Sequence, residues 1–294
     1  MTPQDLAFWS RARRRAAGLQ PEIAAALLRA FATIRDNLSD AELARLIESG
    51  QLDVLLNEAL SDTVLDTAFI PVRQRIRNAT HTSFTATIPE LPRGGRINGA
   101  IAISFDYLSP HVVPAVRALD IKVIQTLKQD IREAVRAQIE AGLVTGQGPR
   151  TVARSLRDVI GMSPTQTENA IKYEAKLVAE EKLTAEQIAK RVAAYRKRAI
   201  AVNAETNART AAIDAMKLGH RLAWQDAIDK GIVDGNRLQK RWVGIMDDRE
   251  RPEHVAMEGD TVPFDMAFRN GQMIPGDTEY NCRCIARYSL ARTS

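Results

Sequence analysis

The chain has 294 residues, is 45% hydrophobic and 26% charged, and carries 41 Lys and Arg against 36 Asp and Glu, for a formal charge of +5 and a pI near 9.3. That apolar share supplies a core and excludes disorder over most of the length, and the size suits two domains at roughly 100–200 residues each. Aromatics are only 5%, which favours packed helices over a β-sandwich; no stretch reaches the ~18 apolar residues of a membrane span, and the opening MTPQDLAFWSRARRR lacks a signal-peptide core, so the chain is expected in a cytosol or in something assembled there.

In chain order, the N-terminal third reads as short capped helices. Thr2-Pro3 sets a cap before a proline at the first helical position, and Ser39-Asp40-Ala41-Glu42 has the form of a capping box. Between them Ile23, Leu27, Leu28, Phe31 and Ile34 give residues 21–37 one apolar face. Residues 81–105 break the pattern: Ser83, Thr85 and Thr87 alternate, Gly94-Gly95 follows, and Ile101, Ile103 and Phe105 alternate again. This suggests a β-hairpin or extended arm around the Gly-Gly turn, or an irregular connector.

From about Pro110 to Ala141 a single long helix is predicted, with Val116, Leu119, Val123, Leu127, Ile131, Val135 and Ile139 on its buried stripe and Pro114 in its first turn. The glycine-rich loop GLVTGQGPR then leads to a helix beginning at Pro149. Such loops can cradle phosphates, but this one lacks the Gly-Lys-Ser/Thr ending and a preceding strand, so a plain joint between helices is the better reading. Ser163-Pro164-Thr165-Gln166 and Thr184-Ala185-Glu186-Gln187 mark two more helix starts, and a last long helix is expected from about Ala201 to Lys230. After Asp234 the sequence turns rich in Gly, Pro, Asp and Arg. The fold class expected is therefore mainly α: an N-terminal helical region with hairpin or arm (1–109), a long-helix body (110–234) and a small α+β domain (235–294).

The last part holds the spacing Asp247-x-Arg249-x-Arg251-x-x-His254-x-x-x-x-Gly259, then Pro275-Gly276 and Asn281-Cys282-Arg283-Cys284. Upstream stand Met162-Ser163-Pro164, Glu205 beside Arg209 in VNAETNART, and LGHRLAWQDAIDKG running into Lys240-Arg241-Trp242. Over roughly residues 105–290 this resembles the phage Mu F-type head morphogenesis proteins, the minor head proteins of tailed phages. The resemblance implies a low-copy structural component rather than an enzyme, at the portal vertex or in the capsid interior. Its implied partners are the portal protein and the major capsid or scaffold protein, with no membrane, and it requires no cofactor.

The residues allow chemistry of their own. Cys282 and Cys284 lie too close for an ordinary disulfide but, if extended, point to one face. With His254 and a carboxylate from Asp247 or Asp277 they offer four ligand types that zinc accepts. The alternative is two reduced core cysteines, a loop-ordering histidine and Asp247 paired with Arg249 or Arg251. A metal-dependent hydrolase or nuclease on Asp247, Asp248, His254 and Glu258 is a further alternative. His81, His111 and His220 read as ordinary loop or surface residues. Charge is uneven: residues 1–116 carry 12 basic and 12 acidic groups, 117–232 carry 20 and 14, and 233–294 carry 9 and 10. Sequence-independent contact with double-stranded DNA is thus sought on the helical body, at Lys122, Lys128, Arg132, Arg136, Arg150, Arg154 and Arg157. A stand-alone DNA-binding protein is the competing reading. The Arg11, Arg13, Arg14 and Arg15 cluster and the alternating Arg73, Arg75 and Arg77 are basic enough for the same role, against a default of solvated surface.

Overall fold

A computed structural model describes residues 2–51 and 54–291, and it is 66% helical. Helix α1 spans Pro3–Asp36. Thr2 Oγ1 accepts the Asp5 amide at 3.2 Å and donates back to Asp5 Oδ2 at 2.7 Å, closing the first turn. In place of the short helices expected of the N-terminal third, this one is long and continues through Pro21. An interior proline costs about 3 kcal/mol, and the helix holds because Ala12, Ala16, Ile23, Ala26, Leu27, Ala30, Phe31 and Ile34 are all buried along it. Leu28, predicted on that face, is exposed.

Helix α2 (Asp40–Glu48) starts where Ser39 Oγ accepts the Glu42 amide, and α3 (Asp62–Ala68) starts on Ser61 in the same way. The alternating Ser and Thr residues belong to helix α4 (Ile70–Thr87), not to an extended strand. Thr87 Oγ1 donates back to Ser83 O, as the neighbouring Thr80 Oγ1 does to Ile76 O, the back-bonds that let threonine sit inside a helix. Arg73, Arg75 and Arg77 are consequently helical and ion-paired, to Asp66, Glu22 and Asp120. A hairpin does follow, shorter and later than expected. Strands β1 (Arg96–Ile97) and β2 (Ala100–Ile101) pair antiparallel across Asn98-Gly99. Both turn residues have positive φ, 49° and 81°, which is the two-residue turn that Asn-Gly favours.

Helix α5 (Val112–Val144) buries all seven predicted stripe residues. The glycine-rich segment is a joint between α5 and α6 (Pro149–Arg157); a Cβ on Gly142 would lie 2.5 Å from Val152 Cγ2. Helix α7 (Pro164–Ala179) carries the full Ser163–Gln166 capping box, and Thr184–Gln187 repeats it before α8. Instead of two helices, α8 runs unbroken over Ala185–Asp229.

The described residues divide into two compact units. One comprises Ala24–Gln74 and Ile121–Asn207. In it Phe31 meets Phe69 edge-on at 6.3 Å and covers Gly161, where a Cβ would stand 2.6 Å from the ring. The other comprises Met1–Ile23, Arg75–Asp120 and Ala208–Ser294. There α8 presses on α4 through Gly219, and Ser83 Oγ donates to Met216 O at 2.9 Å. This unit holds the C-terminal sheet, an antiparallel trio in the order β4 (Thr261–Pro263), β3 (Leu238–Val243), β5 (Ile285–Leu290). Val243 and Ile285, opposite each other on β3 and β5, pack with Trp9, Ala12, Ala16, Ile213 and Met216 into one apolar cluster. That cluster seats the start of β5, and the cysteines stand immediately before it. His220 is buried in this unit rather than at the surface. None of the helices among the described residues is long and apolar enough to cross a membrane.

Candidate metal centre beside the C-terminal sheet

Two chain segments build the centre. The first leaves β3 and turns at Asp247, whose carboxylate accepts the Arg249 amide at 3.1 Å and whose carbonyl accepts the Glu250 amide at 3.0 Å. Pro252, at the first position of the short helix α9 (Pro252–Val255), then faces His254 inward, 1% exposed at its side chain. Trp242 of β3 meets the imidazole edge-on at 5.5 Å.

The second segment, residues 272–284, is polar and is held by specific bonds. Asp277 Oδ2 accepts the amides of Met273 and Ile274, and Gln272 Oε1 accepts that of Gly276 at 2.6 Å. Gly276 has φ of +78°, and a Cβ there would sit 2.3 Å from Cys282 Cβ, so the loop closes against the cysteine only with glycine. The buried Lys217 ammonium donates to Pro275 O at 2.8 Å and Cys282 O at 3.0 Å. Asn281, at φ 59°, takes a hydrogen bond from Thr210 Oγ1, and Trp9 Nε1 donates to Arg283 O between the two cysteines.

The segments meet at His254 Nδ1, which lies 3.8 Å from Cys282 Sγ and 3.6 Å from Cys284 Sγ. The three ligand atoms all lie within 4.8 Å of one another, all three residues are buried, and the group could hold a metal ion. Glu250 Oε1 stands beside them, 3.2 Å from Cys284 Sγ and 3.3 Å from Nδ1. On the far side of the ring Nε2 is 2.7 Å from Glu279 Oε2, a close charge contact rather than an aligned hydrogen bond. Cys282 is the more acidic thiol. The hydrogen bond from Cys284 pulls it down first, against burial, and the Lys217 charge helps; Cys284 is pushed up by the same bond, by burial and by the neighbouring thiolate.

Of the ligand candidates read from sequence, His254, Cys282 and Cys284 come together and Asp247 does not. Both Asp247 oxygens are taken by the Arg283 guanidinium, which holds the carboxyl below its usual range. Asp277 Oδ2 accepts two loop amides, and its carboxylate does not join the His254, Cys282 and Cys284 group. The residues of the hydrolase alternative are dispersed as well: Asp248 is exposed, and Glu258 Oε2 accepts the Gly244 amide at 2.7 Å. Sequence reading missed Glu250 and Glu279. The four-residue spacing of Glu250 from His254 was a usable signal; nothing local pointed to Glu279, Lys217 or Trp9.

The basic candidates on the helical body separate into two sets. Lys128 is buried against Asp62 at 2.7 Å and Asp66 at 3.2 Å, Arg132 bonds Leu60 O and Asp62, and Arg157 bonds Arg35 O and Asp40. These three hold the fold. Arg136, Arg150 and Arg154 are exposed, and Lys122 is half-buried.

The family model described as Phage Mu protein F like protein matches residues 133–287, more than half of the chain and inclusive of the whole centre. No curated protein and no solved structure matches.

Proposed function

The chain belongs to the phage Mu protein F-like family, a family of phage head morphogenesis, and from that premise we propose that it is a minor head protein of structural role, sited at the portal vertex or in the capsid interior. The observation that carries this reading is the match over residues 133–287, which takes in α7, α8 and nearly all of the C-terminal sheet. The portal protein and the major capsid or scaffold protein are its partners. Assembly takes place in the host cytoplasm, and the protein performs no catalysis.

In this reading packaged DNA meets the helical body through phosphate contacts that ignore sequence, at Arg136, Arg150 and Arg154 rather than at the arginines and lysine engaged internally. An ion of the zinc class on His254, Cys282 and Cys284 stiffens the C-terminal sheet as a docking module.

Reconstruction of assembled heads by electron cryomicroscopy, with symmetry relaxed at the portal vertex, tests the assignment. Density for this chain at the portal or the inner capsid wall, at low copy number, is the expected outcome. Heads that lack the protein while it sediments with free DNA would replace this reading with that of a stand-alone DNA-binding protein.

A further inference from the structure

A metal held by His254, Cys282 and Cys284 has three ligands, with its fourth position and its purpose still to be assigned. Building on that three-residue centre, we propose that Glu250 is the fourth ligand, closing a His254, Cys282, Cys284 and Glu250 set of zinc type, and that Glu279 is the positioning residue that aims the imidazole. The ion is then a clasp between the turn at 247–254 and the loop at 272–284, without an open position for a substrate.

The distances support this set. Zinc bonds of about 2.0–2.1 Å to nitrogen or oxygen and about 2.3 Å to sulfur, arranged tetrahedrally, place ligand atoms roughly 3.3–3.8 Å apart. Glu250 Oε1 lies 3.3 Å from His254 Nδ1 and 3.2 Å from Cys284 Sγ, and Nδ1 lies 3.6 and 3.8 Å from the two sulfurs. The two sulfurs are within 4.8 Å of each other. His254 Nδ1, Glu250 Oε1 and Cys284 Sγ are thus gathered at close to zinc spacing, with Cys282 Sγ beside Nδ1 as the fourth donor, and the three ligand residues of the cluster are buried.

Charge supports it too. The Glu250 side chain is 3% exposed. Its Oε2 is 3.5 Å from the Ile245 amide and 3.7 Å from the Arg283 guanidinium, which leaves Oε1 facing a thiol and an imidazole. A carboxylate this buried requires a cation or strong donors, and a divalent ion at the centre of the group supplies one. Asp247 is unsuited to the same task, because reaching inward would break its two-pronged pair with Arg283.

The outer partners match a metal-bound histidine. Such a ring presents one nitrogen to the ion while a carboxylate receives the other. Here Nδ1 faces the sulfurs and Nε2 faces Glu279, which is fixed in turn by Arg251 and by Gln272 Nε2. Gln272 is anchored through Gly276 N to the cysteine loop, so the orienting carboxylate and the sulfur ligands belong to one bonded segment.

The test uses the full chain purified without chelators. Zinc is counted by mass spectrometry and its affinity measured by chelator competition; cobalt(II) alone then reports geometry through its tetrahedral d–d bands and its thiolate charge-transfer band. Expected are one equivalent of zinc and a tetrahedral cobalt spectrum. Glu250→Gln should weaken zinc by well over about tenfold, and Glu279→Gln by about tenfold to a hundredfold, whereas Asp248→Asn, at an exposed carboxylate outside the centre, should leave affinity unchanged. Should Glu250→Gln fold poorly, Glu250→Cys decides the matter, since it should add thiolate-to-cobalt intensity and retain the ion. Wild-type protein that binds zinc while Glu250→Gln keeps full affinity, or Glu250→Cys adds no charge-transfer intensity, overturns Glu250 as ligand and leaves the three-residue metal reading standing. Wild-type protein that takes up no zinc removes both.

Discussion

His220 is 5% exposed, with its ring stacked on Tyr288 at 5.0 Å and Nδ1 3.2 Å from Thr87 Oγ1. Burial, with the Arg15 charge nearby, lowers its pKa from 6.5 to about 3. The unfolded chain therefore takes up a proton that the folded one refuses, and stability falls as the pH drops from about 6.5 towards 3, by up to ~1.4 kcal/mol per pH unit. His220→Gln, which keeps a hydrogen-bonding side chain without the titration, should lose roughly 1–3 kcal/mol less than the wild type between pH 6 and pH 4. Urea unfolding at both pH values measures this, and parallel losses in the two proteins would clear His220 of the effect. Gly276 raises a different single-residue question, because its positive φ and the 2.3 Å approach to Cys282 Cβ leave no room for a methyl group. Gly276→Ala should cost about 2–3 kcal/mol and lower the zinc content together with stability. A stable Gly276→Ala protein with unchanged metal would show that the loop does not need its present closure.

Between elements, α8 crosses α4 closely at Gly219. A Cβ on Gly219 would stand 2.3 Å from Thr80 O and 2.8 Å from Phe84 N, both backbone atoms that cannot step aside. Gly219→Ala should push the helices apart and cost about 3 kcal/mol, read as a lowered urea midpoint. Ser163→Ala, which removes one half of a capping box, should cost only about 1 kcal/mol. A reversed order would mean that α7 depends on its cap more than the α4 crossing depends on close packing. These two sites also divide what was readable in the sequence from what was not. The capping boxes at Ser163 and Thr184 and the stripe of α5 could be read because a cap or a stripe is a short-range pattern. Pro21 inside α1 and the fusion of two predicted helices into α8 could not, since burial along the whole element outweighs a local break signal. Ser83, Thr85 and Thr87 of α4 misled because their alternation mimics a strand, whereas Thr87 bonds back along the helix and Ser83 donates across to Met216 O. Asn98-Gly99 was a legible hairpin turn overshadowed by Gly94-Gly95. At the candidate metal centre His254, Cys282 and Cys284 were readable and Glu250, four residues from His254, was overlooked, whereas Glu279, Lys217 and Trp9 reach the site through folding alone.

Over the whole molecule the basic excess lies in residues 117–232, with 20 basic groups against 14 acidic. Part of that excess is paired internally and part is exposed. Lys128, Arg132 and Arg157 neutralise Asp62, Asp66 and Asp40, and the Lys128 and Arg132 contacts hold the Asp62 carboxyl below its usual range. A cation already bound to a carboxylate releases no counterion when DNA arrives, so it adds nothing to the salt dependence of binding. Arg136, Arg150 and Arg154 are exposed and able to contribute. Each phosphate contact adds about 0.9 to the slope of log affinity against log salt concentration. Changing all three to alanine should therefore flatten that slope by up to about 2.7, with equal effect on DNA of any sequence. Lys128→Met provides the contrast: it should lower stability and leave the slope where it was. Fluorescence titration of one duplex across a salt series, repeated with a second of unrelated sequence, measures both variants. An unchanged slope in the triple variant would move the DNA contact off these arginines, and a changed slope in Lys128→Met would show that the internal pairs open when DNA binds.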